Sequence, residues 1–259
     1  MKPDRLTLLR DLVAFDTTSR HSNLVLIDYV QDYLSGLGVD SELVFDETGS
    51  KANLYATIGP PGVQGVMLSG HTDVVPVDGQ NWRSDPFVLE VREGNVYGRG
   101  SAAMKGFIAC VLEAVSEMVA ADLVMPIHLA FSYDEEVGCI GVRRLLDVME
   151  TMPVLPAMAI IGEPTSMEIV IAHKGKRAIR VRVRGASAHS AYPTEGVNAI
   201  QVAARLIHYI GELQKNIAEI GPFDTAYQVP HTTLHVGTIR GGTALNIVPD
   251  ACEFEFEIR

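Results

Sequence analysis

Five side chains that could bind a metal ion or move a proton follow three apolar stretches of this sequence. They are His71, Asp73, Glu135, Glu136 and Glu163. Histidine nitrogen and carboxylate oxygen bind catalytic zinc, and two such ions about 3.5–4 Å apart can share a water. Adjacent glutamates point in different directions, so one can bind a metal while the other takes a proton. These residue types indicate metal-assisted hydrolysis, provided that the fold brings them together.

Each group also has a purely structural explanation. His71 can be a turn histidine that a neighbouring group satisfies, and the adjacent pair Glu135 and Glu136 can form a solvated acidic turn. Glu163 can be a residue that starts a helix before Pro164. The choice between these explanations and a joint site depends on the elements that carry the residues.

The spacing of apolar residues predicts those elements. Helices are predicted at 4–14, 24–35, 104–118 and 138–149, and strands at 41–45, 53–58, 66–68, 126–132 and 156–161. Asn23 is expected to cap the second helix, and Ser69-Gly70 to end the central strand. Residues 87–97 form a predicted hairpin. The alternation of strands and helices from Val66 to Ile161 indicates a parallel sheet, whose strand ends would bring the three polar groups to one edge.

The pattern changes near Lys176. Apolar residues alternate with arginines at 178–183, a helix is predicted at 197–213, and further strands at 231–239 and 252–259. The sequence therefore predicts an α/β fold with a parallel-rich sheet and flanking helices in residues 1–175. A smaller α+β domain is predicted in residues 176–259.

Composition limits the partners and the compartment. The net charge of −11 argues against nucleic acid as a partner, and no apolar run is long enough to span a membrane. The N-terminus lacks the apolar core of a signal peptide. Cys110, Cys139 and Cys252 are interpreted as reduced core thiols, and we expect a cytoplasmic protein that acts on a small molecule.

Five short motifs carry a resemblance to a known family. They are Ser69–Asp73, Trp82 with Asp85–Phe87, Gly98–Gly106, Asp134–Gly138 and Gly162–Thr165. In this order they resemble the M20 family of metallohydrolases, whose catalytic domain is zinc-peptidase-like. The stretches Ser22–Val30 and Ala188–Pro193 are similar to the acetylornithine deacetylase branch of that family.

The resemblance implies a role for each of the five side chains. His71 and Glu163 would bind one metal ion, and Glu136 would bind the other. Glu135 would be the general base, and Asp73 would orient the imidazole of His71. The cofactor implied is Zn²⁺, with Co²⁺ as a possibility, at two ions per subunit in the family.

The resemblance also implies that the second domain is a lid and the interface of a homodimer. His189 would help to stabilise the oxyanion, and Asn246 and Arg259 would contact an N-acyl amino acid. The alternatives are a surface histidine, an asparagine that caps a turn, and an arginine on the wet face of a strand.

Two departures from the family pattern affect the metal site. Ala103 stands where the family has an aspartate that bridges both metals, and Ser101 is left to cap the following helix. Chains of the family also continue beyond the position of Arg259 and bring in a histidine ligand for the second metal. We therefore expect fewer than two ions per subunit, at His71 and Glu163, and impaired or absent turnover.

Three functions remain open. The first is removal of the acetyl group from N-acetylornithine to give ornithine, as in arginine biosynthesis. The second is the same chemistry on another substrate, as in succinyl-diaminopimelate desuccinylases, aminoacylases or dipeptidases of this family. The third is a catalytically silent protein that binds a ligand or dimerises.

Overall fold

A computed structural model describes residues 3–259. The chain forms two compact units, Met1–Glu168 (unit 1) and Ile169–Arg259 (unit 2). The boundary expected from the sequence lies between residues 175 and 176. None of the helices in the described part of the chain is long and apolar enough to cross a membrane.

The described residues of unit 1, 3–168, form four helices and seven strands. The helices are α1 (Arg5–Ala14), α2 (Leu24–Gly36), α3 (Lys105–Ala120) and α4 (Ile140–Met149). The strands are β1 (Ser41–Phe45), β2 (Ala52–Ile58), β3 (Val66–His71), β4 (Glu90–Arg92), β5 (Asn95–Tyr97), β6 (Ile127–Ser132) and β7 (Met158–Ile161). The pair β4 and β5 forms the predicted antiparallel hairpin.

The main sheet of unit 1 has the strand order β1-β2-β6-β3-β7. Strand β3 lies in the centre of the parallel part and runs parallel to both β6 and β7. Strands β1 and β2 complete the sheet in antiparallel orientation. The predicted α/β fold with a parallel-rich sheet is confirmed, and the carboxyl ends of β3, β6 and β7 meet at one edge.

The central strand is longer than the sequence predicts. The expected break at Ser69-Gly70 is wrong, because the backbone keeps its pairing with β6 as far as His71 opposite Ser132. Ser69 is also paired with Ile161 of β7. The sheet contacts on both sides outweigh the low strand preference of glycine, so His71 is the last residue of the strand.

Helices cover both faces of this sheet. The larger core contains residues of α1, α2 and α3, among them Leu12, Ile27, Leu34, Ile108 and Leu112, packed with Leu54, Leu129 and Phe131 of the strands. On the other face, α4 contributes Leu145 and Met149 to a small cluster with Tyr55 and Ala130. Every one of these side chains is buried, so the sheet edge that carries the polar groups rests on a packed scaffold.

The predicted cap at Ser101 and two predicted core thiols are wrong, and Asn23 stands at the predicted N-cap position of α2 without a side-chain cap hydrogen bond. Asn23 does not cap α2 with its side chain but binds Ala52 of β2 through both its oxygen and its nitrogen. Helix α3 begins after Met104 without a side-chain cap, so Ser101 does not take that role. Cys110 and Cys139 are exposed, while Cys252 is buried as expected.

Unit 2 is a helix packed on a three-stranded antiparallel sheet. Its elements are β8 (Arg177–Arg184), α5 (Ala199–Ile220), β9 (Leu234–Gly241) and β10 (Ala251–Ile258), with strand order β8-β10-β9. Ala199 and Ala203 of α5 pack on Cys252 and Phe254 of β10. The other face carries charge pairs between β8 and β10, such as Arg182 with Glu253 at 2.7 Å. Helix α5 extends seven residues beyond its predicted end at residue 213.

Candidate metal centre

His71 ends β3 with its imidazole almost completely buried. Its Nδ1 lies 2.8 Å from the backbone carbonyl oxygen of Asp73 and 3.5 Å from the Asp73 Oδ1 atom. The carbonyl oxygen can only accept, so the Nδ1–H group donates to it and the lone pair of Nε2 remains free. A histidine fixed in this tautomer presents Nε2 as a metal ligand.

The carboxylate of Asp73 has a second task that the sequence did not predict. Its Oδ1 atom accepts the backbone N–H of Glu135 at 3.0 Å, and its Oδ2 atom accepts that of Glu136 at 3.3 Å. The hydroxyl of Ser19 also donates to Oδ2, at 2.7 Å. Asp73 therefore fixes the loop after β6 in addition to its contact with His71.

The loop after β6 presents the adjacent glutamates. Asp134 has a left-handed backbone conformation with φ of 53°, which turns the chain sharply after the strand. Glu135 follows this turn, and its Oε2 atom lies 3.9 Å from His71 Nε2. The Glu135 side chain is 38% exposed, so it can reach both a bound ligand and solvent.

Glu163 reaches the same place from β7. Its Oε1 atom lies 3.6 Å from His71 Nε2. Gly162 allows this approach, because a Cβ atom at that position would lie 2.1 Å from the ring of Phe107 on α3. Only glycine lets the end of β7 lie so close to the helix.

Three of the predicted residues therefore form one cluster. Donor atoms of His71, Glu135 and Glu163 all lie within 4.8 Å of one another. His71 and Glu163 offer the imidazole nitrogen and the carboxylate oxygen that Zn²⁺ takes as ligands, and the carboxylate of Glu135 beside them can bind the ion or take a proton from water. The residues present fit one divalent ion, and the described residues 3–259 contain no second group of this kind.

Burial and neighbouring charges shift the pKa values of several side chains in and around the cluster. Burial disfavours the charged form of His71, but the Asp73 and Glu163 carboxylates outweigh it and raise the pKa of the imidazole. Burial raises the pKa of both Glu136 and Glu163; His71 opposes this shift, and neighbouring carboxylates such as Glu135 add to it. Burial also opposes ionisation of Asp73, yet hydrogen bonds from His71, Ser19 and Glu135 lower its pKa overall. A group of like charges at a sheet edge is typical of a site that gains stability from a bound cation.

The two positions that the resemblance links to the second metal ion do not belong to this three-residue cluster. Glu136 is next to the cluster but outside the three-residue donor set. Ala103 is in the turn before α3 and offers no donor atom. The roles of Glu136 as a ligand and of Glu135 as a base remain predictions.

The predicted residues of unit 2 fall in two places. The backbone N–H of Ser190 donates to the carbonyl oxygen of Asn246, so His189 and Asn246 lie on neighbouring segments. Arg259 follows the far end of β10, where its guanidinium pairs with Glu257 at 2.9 Å. The eight residues of β10 span about 26 Å and lie between the segment of Asn246 and Arg259. Contact of Asn246 and of Arg259 with substrate remains a prediction.

Sequence reasoning missed two residues close to the centre. These residues are Ser19, whose hydroxyl donates to Asp73, and Lys51. Lys51 donates to the Ser19 carbonyl oxygen and to Asp134. No local pattern marks either residue, because their partners are distant in the chain.

The chain can be placed among known proteins on this basis. Residues 67–245, more than half of the chain, match the sequence model of peptidase family M20/M25/M40. The chain belongs to this family. The family resemblance of the motifs is thereby confirmed, whereas the acetylornithine deacetylase branch stays a prediction.

Solved structures of the family share the fold. An M20 family metallo-carboxypeptidase of Sulfolobus solfataricus matches with a TM-score of 0.80 at 17% identity, over 99% of this chain and 71% of its own. A tripeptidase of Staphylococcus aureus matches with a TM-score of 0.67 at 22% identity, over 100% and 66%. A dinuclear metal-binding peptidase of Bacillus subtilis matches with a TM-score of 0.55 at 15% identity, over 98% and 63%. The chain thus spans about two thirds of the length of these proteins.

Proposed function

We propose that this protein is a metal-dependent hydrolase that cleaves the amide bond of a small N-acyl amino acid or a short peptide. The observation that carries the proposal is the cluster of His71, Glu135 and Glu163 at the ends of three parallel strands. Membership of the M20/M25/M40 family supports it.

A divalent cation held by His71 and Glu163 would supply a Lewis acid that polarises the carbonyl group and lowers the pKa of water. Glu135 would take a proton from the attacking water and pass it to the leaving amine. Glu135 is partly exposed and lies opposite His71, which is a suitable position for proton transfer to and from water. Asp73 holds the imidazole and the Glu135 backbone in place during these steps.

N-Acetylornithine is the specific substrate that we propose, on the motifs shared with the acetylornithine deacetylase branch. Short peptides are the second candidate, since one structural neighbour is a tripeptidase and another a metallo-carboxypeptidase. In either case His189, Asn246 and Arg259 of unit 2 are the residues proposed to contact substrate.

A substrate panel tests the proposal. The zinc-loaded or cobalt-loaded protein is given N-acetylornithine, other N-acetyl amino acids, N-succinyl-diaminopimelate, dipeptides and tripeptides, and amine release is measured. We expect slow hydrolysis with one ion per chain, and a loss of about 10²–10⁴-fold in Glu135→Gln, because the proton acceptor is removed.

The variant Ala103→Asp separates a weakened enzyme from a silent protein. The family resemblance implies a metal-bridging aspartate at position 103, so we expect tighter metal binding and faster hydrolysis in this variant. Absence of hydrolysis of every compound by metal-loaded Ala103→Asp protein would overturn the enzyme proposal and favour a ligand-binding role.

A further inference from the structure

Lys51 joins two loops that both hold Asp73. Its ammonium group donates to the backbone carbonyl oxygen of Ser19 at 2.5 Å. The same group pairs with Asp134 Oδ1 at 2.6 Å. Ser19 and Asp134 are 32 and 83 residues away from Lys51 in the chain, so one side chain connects three distant segments.

These contacts form a closed ring of hydrogen bonds and one ion pair next to the metal centre. From Lys51 the ring passes to Ser19, whose hydroxyl donates to Asp73 Oδ2. From Asp73 it returns through the backbone N–H of Glu135, which donates to Oδ1. Asp134 directly precedes Glu135 and completes the ring at the ammonium group of Lys51.

The backbone of Asp134 has an uncommon conformation within this ring. Its φ of 53° is left-handed, a conformation that non-glycine residues adopt rarely and aspartate more readily than most. This turn directs the N–H groups of Glu135 and Glu136 towards Asp73. The ion pair with Lys51 fixes the side chain of Asp134 and thereby stabilises this turn.

Shielding from water makes this pair different from an ordinary surface ion pair. The side chains of Lys51 and Asp134 are only 14% and 15% exposed. Exposed pairs contribute little, whereas removal of one partner from a shielded pair leaves the other charge without compensation. The strand hairpin that carries Lys51 is itself fixed, since Asp46 accepts the backbone N–H groups of Ser50 and Lys51.

We infer that Lys51 is a positioning residue of the metal centre. It fixes the loops of Ser19 and Asp134 on the two sides of Asp73 and so sets the distance between Glu135 and His71. Lys51 itself touches neither substrate nor ion. This inference rests on the metal-dependent function proposed above.

Metal affinity in the full-length chain tests the inference. Zinc affinity is measured by competition with a chromophoric chelator, and the ligand geometry by the visible absorption of the Co²⁺-loaded protein. We expect Lys51→Met to weaken zinc binding about 10–100-fold, the range seen when outer contacts of a ligand are lost, and to change the cobalt spectrum. Lys51→Arg keeps the charge and should restore both.

A matched control is available near the same hairpin. Arg144 pairs with Glu47 at 2.6 Å, but both side chains are more exposed and neither belongs to the ring. We expect Arg144→Met to leave zinc affinity and the cobalt spectrum unchanged. Ser19→Ala opens the ring at another link and should resemble Lys51→Met, which keeps the test decisive if the latter variant does not fold.

A double variant distinguishes the ring from independent effects. If Lys51 acts through Asp134, then Lys51→Met combined with Asp134→Asn should lose no more zinc affinity than the more severe single variant. Wild-type zinc affinity and cobalt spectrum in folded Lys51→Met would overturn the inference, and so would the same result in Ser19→Ala where Lys51→Met does not fold. Failure of the wild-type protein to bind zinc at all would instead reject the proposed function.

Discussion

Asp73 shows how one side chain can serve two parts of a site. Its backbone carbonyl oxygen selects the tautomer of His71, while its carboxylate fixes the backbone of the loop that carries Glu135. The carboxylate is buried and accepts three hydrogen bonds besides its contact with the imidazole. The geometry of the cluster therefore depends on a residue that need not touch the metal ion.

Substitution of Asp73 should separate metal binding from folding. Asp73→Asn replaces one accepting oxygen by an NH₂ group, which cannot accept from Glu136 and Ser19. We expect a loss of about 10–100-fold in zinc affinity and of about 1–3 kcal/mol in the free energy of unfolding. Zinc titration and urea denaturation measure the two effects.

The control for this prediction is Asp78→Asn. Asp78 pairs with Arg20 at 2.7 Å on the exposed surface, so its loss should change neither quantity beyond about 0.5 kcal/mol. Equal zinc affinity in Asp73→Asn and the wild-type protein would contradict the role assigned to Asp73.

At the scale of elements, α3 begins with a charge inside the core. Lys105 is fully buried, and its ammonium group donates to the carbonyl oxygen of Phe15 at 2.7 Å. Burial lowers the pKa of Lys105 to about 7, although the carboxylate of Asp16 opposes the shift. The start of the helix behind the metal centre is therefore sensitive to pH.

The sign of this effect gives a prediction. Between about pH 7 and pH 10 the unfolded chain binds a proton at Lys105 and the folded chain does not, so stability rises with pH. Below pH 7 both states are protonated and the contribution is constant. Lys105→Met should remove a slope of at most about 1.4 kcal/mol per pH unit.

Urea denaturation of the metal-free protein at pH 7, 8 and 9 measures this slope. The exposed Lys215 provides the control, and Lys215→Met should keep the wild-type slope. Parallel stability curves for Lys105→Met and the wild-type protein would contradict the lowered pKa.

Helix α5 carries an exposed apolar stripe beside its buried face. Leu206, Tyr209, Leu213 and Ile220 recur at helical spacing and are 41%, 66%, 36% and 71% exposed. We expect this stripe to be part of the homodimer interface that the family resemblance implies for the second domain. Apolar surface of this kind marks protein interaction sites.

Light scattering after size-exclusion chromatography tests the interface. The double variant Tyr209→Lys and Leu213→Lys should convert a dimer into a monomer, because two charges would be buried in the contact. Ala204→Lys, on another exposed side of α5, should leave the dimer intact. A wild-type monomer at all concentrations, or a dimer that tolerates the double variant, would disprove the prediction.

The elements that carry the site could be predicted because apolar spacing is a local signal. The predicted strands before His71, Glu135 and Glu163 are β3, β6 and β7, and their parallel pairing brings the three residues together. Contacts between distant segments gave no such signal. Asn23 resembles a helix cap in sequence, yet its amide binds Ala52, 29 residues away.

The same reason explains the other errors at this scale. Ser69-Gly70 looks like a strand end until pairing partners on both sides are known, and the exposure of Cys139 depends on the turn that precedes α4. Lys51 could not be found from the sequence, because its two partners belong to loops that meet only in the folded chain.

At the scale of the molecule, each unit has its own core. The clusters that involve α1 to α4 lie in unit 1, and the cluster around Ala203 and Phe254 lies in unit 2. The proposed ion ligands all belong to unit 1. Metal binding should therefore stabilise one unit without a direct effect on the other.

Calorimetry tests this division. We expect two unfolding transitions, and zinc should raise the Tm of only one of them. At a free zinc concentration of 100 Kd the gain is about 2.7 kcal/mol, and each kcal/mol shifts the Tm of a unit of this size by about 2–4 °C. Glu163→Gln should abolish the shift, whereas a single transition that moves as a whole would contradict independent units.

Strand β7 has a consequence for the lifetime of a bound ion. It is a four-residue strand at the edge of the sheet, and every residue in it is exposed. An edge strand of this kind opens by local fraying at a small cost in free energy, while the buried β3 and β6 stay closed. Glu163 would leave with it, and His71 and Glu135 would remain. The time for which the ion stays bound would then depend on the local opening of this short strand. Amide hydrogen exchange in β7 would therefore report on the rate of ion release.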